Sequence, residues 1–134
     1  MNIANWLYEQ GLLCPDGEAL IIGTKVTANY KEFAQAAYLF SQRLKNDFGC
    51  QVGDRVIVFA KNKLEYLIAL YGALWGGFVI APTNYRLHPK EVEWVLEDTE
   101  AKVILTDDGQ LLSKVNNVHG CKEIILDELF NNSV

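Results

Sequence analysis

Histidine occurs only twice in these 134 residues, methionine once, and cysteine and proline three times each. His88 and His119 are joined by no CxxC pair, so no zinc-ligand spacing can be written. Neither histidine has a Ser, Cys or Asp partner at a readable spacing, and neither is assigned a catalytic role. Cys14, Cys50 and Cys121 are odd in number and far apart. They read as buried or half-buried free thiols of a reducing compartment, not as a disulfide frame. Positive charge is short as well: 12 Lys and Arg stand against 17 Asp and Glu, a net charge of −5 with a pI near 5.0. A nucleic-acid partner needs a basic face, so that class is excluded.

Long apolar runs are also missing. Tyr66 to Tyr85 carries no charge, but Gly76-Gly77 and Pro82-Thr83-Asn84 interrupt it, and its apolar part is too short to cross a bilayer core of about 30 Å. No basic stretch precedes an apolar run at Met1–Trp6, so no secretory signal is read and a cytoplasmic location is expected. No GxGxxG occurs. Gly72 and Gly77 have the Walker spacing, yet Phe78-Val79 follows them instead of Lys-Ser/Thr. No complete catalytic constellation is present.

Half the residues are hydrophobic, and the length is that of one domain, residues 1–134. Asn2–Leu13 reads as a short helix with Ile3, Trp6, Leu7 and Gly11 on one face, ended by Cys14-Pro15-Asp16-Gly17. Ala19–Ile22 and Lys25–Ala28 read as strands joined at Gly23-Thr24, a two-residue turn with glycine first. Asn29 is placed to cap a helix running to about Asp47, with Glu32 as its capping-box partner. Tyr30, Phe33, Ala34, Ala37, Tyr38 and Leu44 repeat at helical spacing and predict its core face.

Val52-Gly53-Asp54 predicts a tight turn into an apolar strand, Arg55–Ala60. After the polar loop Lys61-Asn62-Lys63, Leu64–Trp75 is apolar nearly all round and predicts a buried helix. Phe78–Ala81 predicts a strand buried on both faces that breaks at Pro82. Pro89 suits the first position of another helix, with Val92, Val95 and Leu96 inward and Trp94 to one side. Ala101–Thr106 and Lys122–Leu126 predict further strands, with helix between them at Leu111–Val115. Asp127–Val134 carries no closing signal. Strands alternating with helices argue βαβ units: a three-layer α/β fold with a mostly parallel sheet flanked by helices, and one early β-hairpin.

In such sheets ligands gather beyond the carboxyl ends of the strands, which points to the loop Pro82-Thr83-Asn84-Tyr85-Arg86. Arg86 is the candidate for ligand contact, since a guanidinium suits phosphate; the plainer role is a surface arginine whose stem covers Tyr85 or Leu87. Asn84 is a second candidate, with loop shaping as its plainer role. Packing and turn roles account for Tyr30, Glu32, Asp54, Arg55 and the three tryptophans, and Lys61 and Lys63 read as solvated loop charges. Gly72 and Gly76 read as allowing close helix–sheet packing.

The order of these pieces resembles the opening of the AMP-forming acyl-CoA synthetases of the adenylate-forming superfamily. The resemblance rests on Asn29-Tyr30-Lys31-Glu32-Phe33, Gly53-Asp54-Arg55-Val56, Asn62, the stretch Leu74–Glu91 and the strand entry Leu96–Val103, roughly Asn2 to Thr106 in all. His88 and Asn29 stand where relatives often have Thr or Ser, both at capping positions. The resemblance implies an N-terminal subdomain of a ligase that joins a carboxylic acid to a thiol, usually coenzyme A, through an acyl-adenylate. ATP, Mg2+ and coenzyme A are expected of the full-length parent and none of the fragment, which is expected to be inactive alone. The resemblance also places Arg86 and Asn84 near the side where coenzyme A enters in some relatives. The expected partners are the remainder of the synthetase chain and the parent's carboxylic acid. Self-association through an uncovered apolar surface is expected too. A non-catalytic binding module that kept this fold is the alternative reading. A flavodoxin-like small-molecule domain ranks below both, for want of a phosphate loop after the first strand.

Overall fold

Stretches rich in β-branched and apolar residues supply the sheet. In the computed structural model, which describes residues 2–116 and 120–131, they form a four-stranded parallel sheet. The elements run α1 (Ala4–Leu13), β1 (Glu18–Ile22), β2 (Lys25–Asn29), α2 (Tyr30–Asn46), β3 (Arg55–Phe59), α3 (Leu64–Trp75), β4 (Val79–Thr83), α4 (Pro89–Thr99), β5 (Val103–Thr106), a 3-10 turn (Leu112–Lys114), β6 (Lys122–Ile125) and α5 (Glu128–Asn131). Strand order is β4-β3-β5-β6, and β1 and β2 pair separately as an antiparallel hairpin.

Alternation along the strands builds two cores. Val56, Val58, Val103 and Leu105 point to one face, where they meet Phe33 and Phe40 of α2 and Ile68 of α3. Ile57 and Ile104 point to the other, against Val92 and Leu96 of α4. All six strand residues are fully buried. At about 1.5–3 kcal/mol for each large apolar side chain, this packing dominates the stability.

Local signals hold the elements in place as their sequences foretell. Ile22 faces Lys25 across Gly23-Thr24, with Gly23 at φ 61°. Asn29 and Glu32 complete the capping box: Asn29 Oδ1 accepts from the Glu32 N–H at 2.8 Å, and Glu32 Oε1 accepts from the Asn29 N–H at 3.0 Å. In the Gln51–Asp54 turn, the Asp54 N–H donates to the Gln51 carbonyl at 2.9 Å. Arg55 then donates from its guanidinium to the Thr99 carbonyl at 3.0 Å, placing a cation at the end of α4. Pro89 opens α4, and His88 Nδ1 accepts from the Lys90 N–H at 3.2 Å, so a histidine caps where hydroxyl residues are usual.

Several expectations are corrected. Phe78–Ala81 is not a strand buried on both faces. β4 begins one residue later and lies at the sheet edge, with Val79 46% exposed. Pro82 belongs to that strand, opposite Val58, because an edge strand tolerates a missing N–H. The loop beyond therefore starts at Asn84. α1 buries Ala4 and Leu7 and leaves Ile3 and Trp6 exposed. On the core face of α2, Phe33, Ala37 and Leu44 are buried as expected, Ala36, Phe40 and Ser41 join them, and Tyr38 is exposed. Along α3 only Ile68, Ala69, Gly72 and Ala73 are buried, and Leu67 is exposed. Gly72 serves helix–helix packing, since a Cβ there would lie 2.8 Å from the Ala37 carbonyl oxygen of α2. Cys14 is exposed, whereas Cys50 and Cys121 are buried. Trp94 is 78% exposed and anchors no core. A short 3-10 turn replaces the helix expected at Leu111–Val115, and α5 forms where no signal was read. His119 and residues 132–134 lie outside the described residues. Among those described, no helix is long and apolar enough to cross a membrane.

Candidate functional site

Parallel strands bring their carboxyl ends to one edge, and the loops after β3, β4 and β5 meet there. Between them lies a cleft of about 220 Å³ lined by Phe59, Tyr85, Leu87, Thr106, Asp107 and Lys114, among others. Of the loop expected from sequence, Pro82 and Thr83 belong to β4, and Asn84, Tyr85 and Arg86 lie beyond it. The loop's shape comes from Asn84, whose Oδ1 accepts from the Arg86 N–H at 3.0 Å while its carbonyl accepts from the Leu87 N–H at 3.1 Å. This is the side-chain turn that asparagine favours.

Arg86 is exposed and folds back on its neighbour. Its Nε donates to the Tyr85 hydroxyl at 3.3 Å, and the guanidinium lies 5.5 Å from the Tyr85 ring centroid. The Lys61 ammonium lies 6.0 Å from the same centroid. Two cations thus share one tyrosine ring at the cleft's rim, within reach of cation–π attraction.

Lys63 is not a solvated charge. Its ammonium lies 2.6 Å from Asp107 and 2.6 Å from Asp127, tying together the loops after β3, β5 and β6. Asp107 also accepts from the Lys61 N–H at 3.0 Å. Partial burial works against the Lys63 charge, but hydrogen bonds to the two carboxylates outweigh it and hold its pKa above the ordinary lysine value. Burial likewise opposes the Asp107 charge, and the hydrogen bonds from Lys63 and the Lys61 N–H overcome it, holding that carboxyl below its usual range. Asp107 and Asp127 escaped the sequence reading; the available signal was an acidic residue just past each apolar strand.

The loop after β5 is fixed from beneath. The Glu123 carboxylate, on β6, accepts from the Thr106 hydroxyl, from the Leu111 N–H at 3.0 Å and from the Leu112 N–H at 2.8 Å. Thr106 Oγ1 in turn accepts from the Gly109 N–H at 3.0 Å. Both Thr106 and Glu123 were passed over in the sequence, because their roles arise only when β5 and β6 pair.

The arrangement offers a preorganised rim with cations on one side and paired carboxylates on the other. The one hydroxyl described beside a carboxylate, Thr106 against Glu123, is buried and committed to fixing the loop after β5. Among the described residues no three His, Cys, Asp or Glu side chains gather as a metal site. The glycines at the Walker spacing do not fit a triphosphate. A Cβ at Gly72 would strike Phe40 at 2.7 Å, so that backbone is closed by helix packing.

Comparison with known proteins agrees with this architecture. The AMP-binding enzyme family matches residues 7–133. A long-chain-fatty-acid–CoA ligase of Haemophilus influenzae is 32% identical over 118 residues, covering 86% of this chain and 21% of the relative. A 2-succinylbenzoate–CoA ligase of Geobacillus kaustophilus is 29% identical over 107 residues, covering 80% of this chain and 21% of the relative. The chain therefore spans about a fifth of the length of the curated relatives it matches. Among solved structures, a benzoate CoA ligase of Burkholderia xenovorans superposes with a TM-score of 0.81 at 23% identity, over 98% of this chain and 28% of that one. A match across nearly the whole chain, on the same hairpin, helices and parallel sheet, makes this chain a member of the AMP-binding enzyme family.

Proposed function

We propose that this chain is the opening segment of an AMP-forming acyl-CoA ligase. The observation that carries this is the family match over residues 7–133 in a chain spanning only about a fifth of its relatives' length. The parent joins a carboxylic acid to coenzyme A at the expense of ATP. The carboxylate oxygen displaces pyrophosphate from the α-phosphate to give an acyl-adenylate, and the thiol then displaces AMP. ATP and magnesium are handled by the remainder of the parent; the Walker-spaced glycines of this chain are closed by helix packing. Residues 1–134 form one structural unit of that parent, whose location is cytoplasmic and whose first partner is the remainder of its chain. Severed from that remainder, the segment associates with itself through uncovered apolar surface.

Within the parent, Arg86 contacts a coenzyme A phosphate and Asn84 holds the loop that presents it. Support comes from the exposure of Arg86 and from its making no ion pair among the described residues, so its charge is uncommitted. A guanidinium at such a rim suits phosphate. In the parent, Arg86→Ala is expected to raise KM for coenzyme A by about tenfold, the scale of one charge-assisted hydrogen bond, and to leave ATP–pyrophosphate exchange unchanged. An unaltered KM removes Arg86 from that role. For the chain alone, pyrophosphate release is measured with ATP and a panel of fatty and aromatic acids. None is expected, and clear turnover by purified protein overturns the proposal that catalysis needs the remainder.

A further inference from the structure

A second concavity lies at the opposite end of the molecule from the cleft. It is a groove of about 570 Å³ between α1 and α2, closed at one end by Trp75. Trp75 is the last residue of α3, just before β4 begins, so the groove sits toward the amino ends of the strands. No role proposed above uses it.

Its walls are mostly apolar and strongly aromatic. Tyr8 and Tyr38 both pack edge-on against Trp75, with ring centroids 5.9 Å apart in each case. Gly11 deepens the floor: a Cβ there would sit 3.0 Å from the Cβ of Ala34, so a larger residue would pry α1 from α2. Asn2 steadies the rim by donating to the Leu74 carbonyl. The size and the few polar groups at the edge match small-molecule sites, which are apolar concavities of roughly 300–1,000 Å³.

The charge on the groove runs against that of the chain. Acidic residues outnumber basic ones 17 to 12 overall, yet no Asp or Glu lines this groove, and its one charged residue is Lys31. Lys31 is exposed and forms no ion pair among the described residues. Gln35, one turn further along α2, adds an amide beside it. A free quaternary cation would suit an aromatic cage, but the Lys31 ammonium repels one. An anion attached to a flat ring satisfies both features at once.

We propose that the α1–α2 groove binds an aromatic carboxylate, with its ring against Tyr8, Tyr38 and Trp75 and its carboxylate paired with Lys31. Edge-to-face contact suits the ring body, and a lysine–carboxylate pair at a partly apolar edge fixes orientation. This site is separate from the rim at Arg86 and does not depend on adenylation.

The test is calorimetric titration of the 134-residue chain with 2-naphthoate and with its uncharged counterpart, 2-naphthylmethanol. Two variants at exposed positions are compared, Lys31→Glu and Gln35→Trp, each checked for retained structure by circular dichroism. The expected result is one naphthoate bound per chain, with the alcohol about tenfold weaker, the scale of one charged hydrogen bond. Lys31→Glu should lower naphthoate affinity at least tenfold and leave the alcohol's affinity unchanged. Gln35→Trp should fill the groove and weaken both. No binding at millimolar ligand, equal affinity for acid and alcohol, or full naphthoate affinity in Lys31→Glu each overturns the proposal. If Gln35→Trp fails to fold, the charge reversal at Lys31 decides alone. Pyrophosphate release plays no part in this readout, so the outcome stands whatever the fate of the ligase reading.

Discussion

Lys63 shows what a single side chain can organise. Its contacts with Asp107 and Asp127, 2.6 Å each, pin three loops at the carboxyl edge of the sheet. The partners are partly exposed, so the ion pairs are screened, and replacing Lys63 by methionine is expected to cost about 1 kcal/mol or less at neutral pH. The pH dependence follows from the directions of the shifts. The Asp107 pKa is lowered on folding, so its contribution is present above the unfolded value of about 3.9 and is lost as pH falls through the folded value. The Lys63 pKa is raised, so its contribution is present below about 10.4 and is lost as pH rises through the folded value. Urea denaturation of wild type and Lys63→Met at pH 7 and pH 2 checks this. The stability gap should shrink in acid, and an equal gap at both values removes the carboxylates from the account. This cluster was not legible from sequence, since Lys63 and Asp127 lie 64 positions apart. Asn84 was legible for the opposite reason: its partner, the Arg86 N–H, is two residues away.

At the scale of elements the same division holds. The α2 capping box and the Pro89 start were readable because each depends on neighbours within one turn. The Asn29 box satisfies two N–H groups that the helix leaves free, and Asn29→Ala is expected to lower stability by about 1 kcal/mol in a thermal or urea melt. A change within 0.2 kcal/mol would mean that solvent serves the helix end equally well. Part of the α2 face and the edge position of β4 were misread because both depend on what packs where. Helical periodicity names a stripe but does not fix which side of it meets a neighbour. An apolar strand such as β4 looks central until strand order is known. Gly72 belongs to this class too. From sequence it suggested an approach to the sheet, and in the fold it sets the spacing of α2 and α3. Gly72→Ala should gain up to about 1 kcal/mol of helix propensity but drive a methyl to 2.7 Å from Phe40 and 2.8 Å from the Ala37 carbonyl. Overpacking of this kind costs about 1–3 kcal/mol, and backbone on one side of the clash limits relaxation, so net destabilisation is expected. A raised melting temperature would show that the helices part without penalty.

Across the whole molecule, apolar surface and charge oppose one another. Ile3, just before α1, and Leu12 and Leu13 at its end are 64%, 64% and 76% exposed, and Ile22 of the hairpin is 61% exposed. Scattered exposed leucines are ordinary, but the adjacent pair Leu12-Leu13 at the end of α1 leaves apolar surface that favours association. The net charge of −5 holds copies apart at neutral pH, and that repulsion vanishes near the pI of about 5.0. Association of this chain should therefore grow with protein concentration and be strongest near pH 5, where only the apolar attraction is left. Light scattering across concentration at pH 5 and pH 8 reads both trends. Leu12→Lys with Leu13→Glu leaves the net charge unchanged, so a loss of association in that double variant isolates the patch from the charge. A strictly monomeric species at high concentration and pH 5 would mean that α1 is too small or too mobile a surface to hold a second copy. The severed-segment reading would then lose its physical consequence, while the fold and the family would stand.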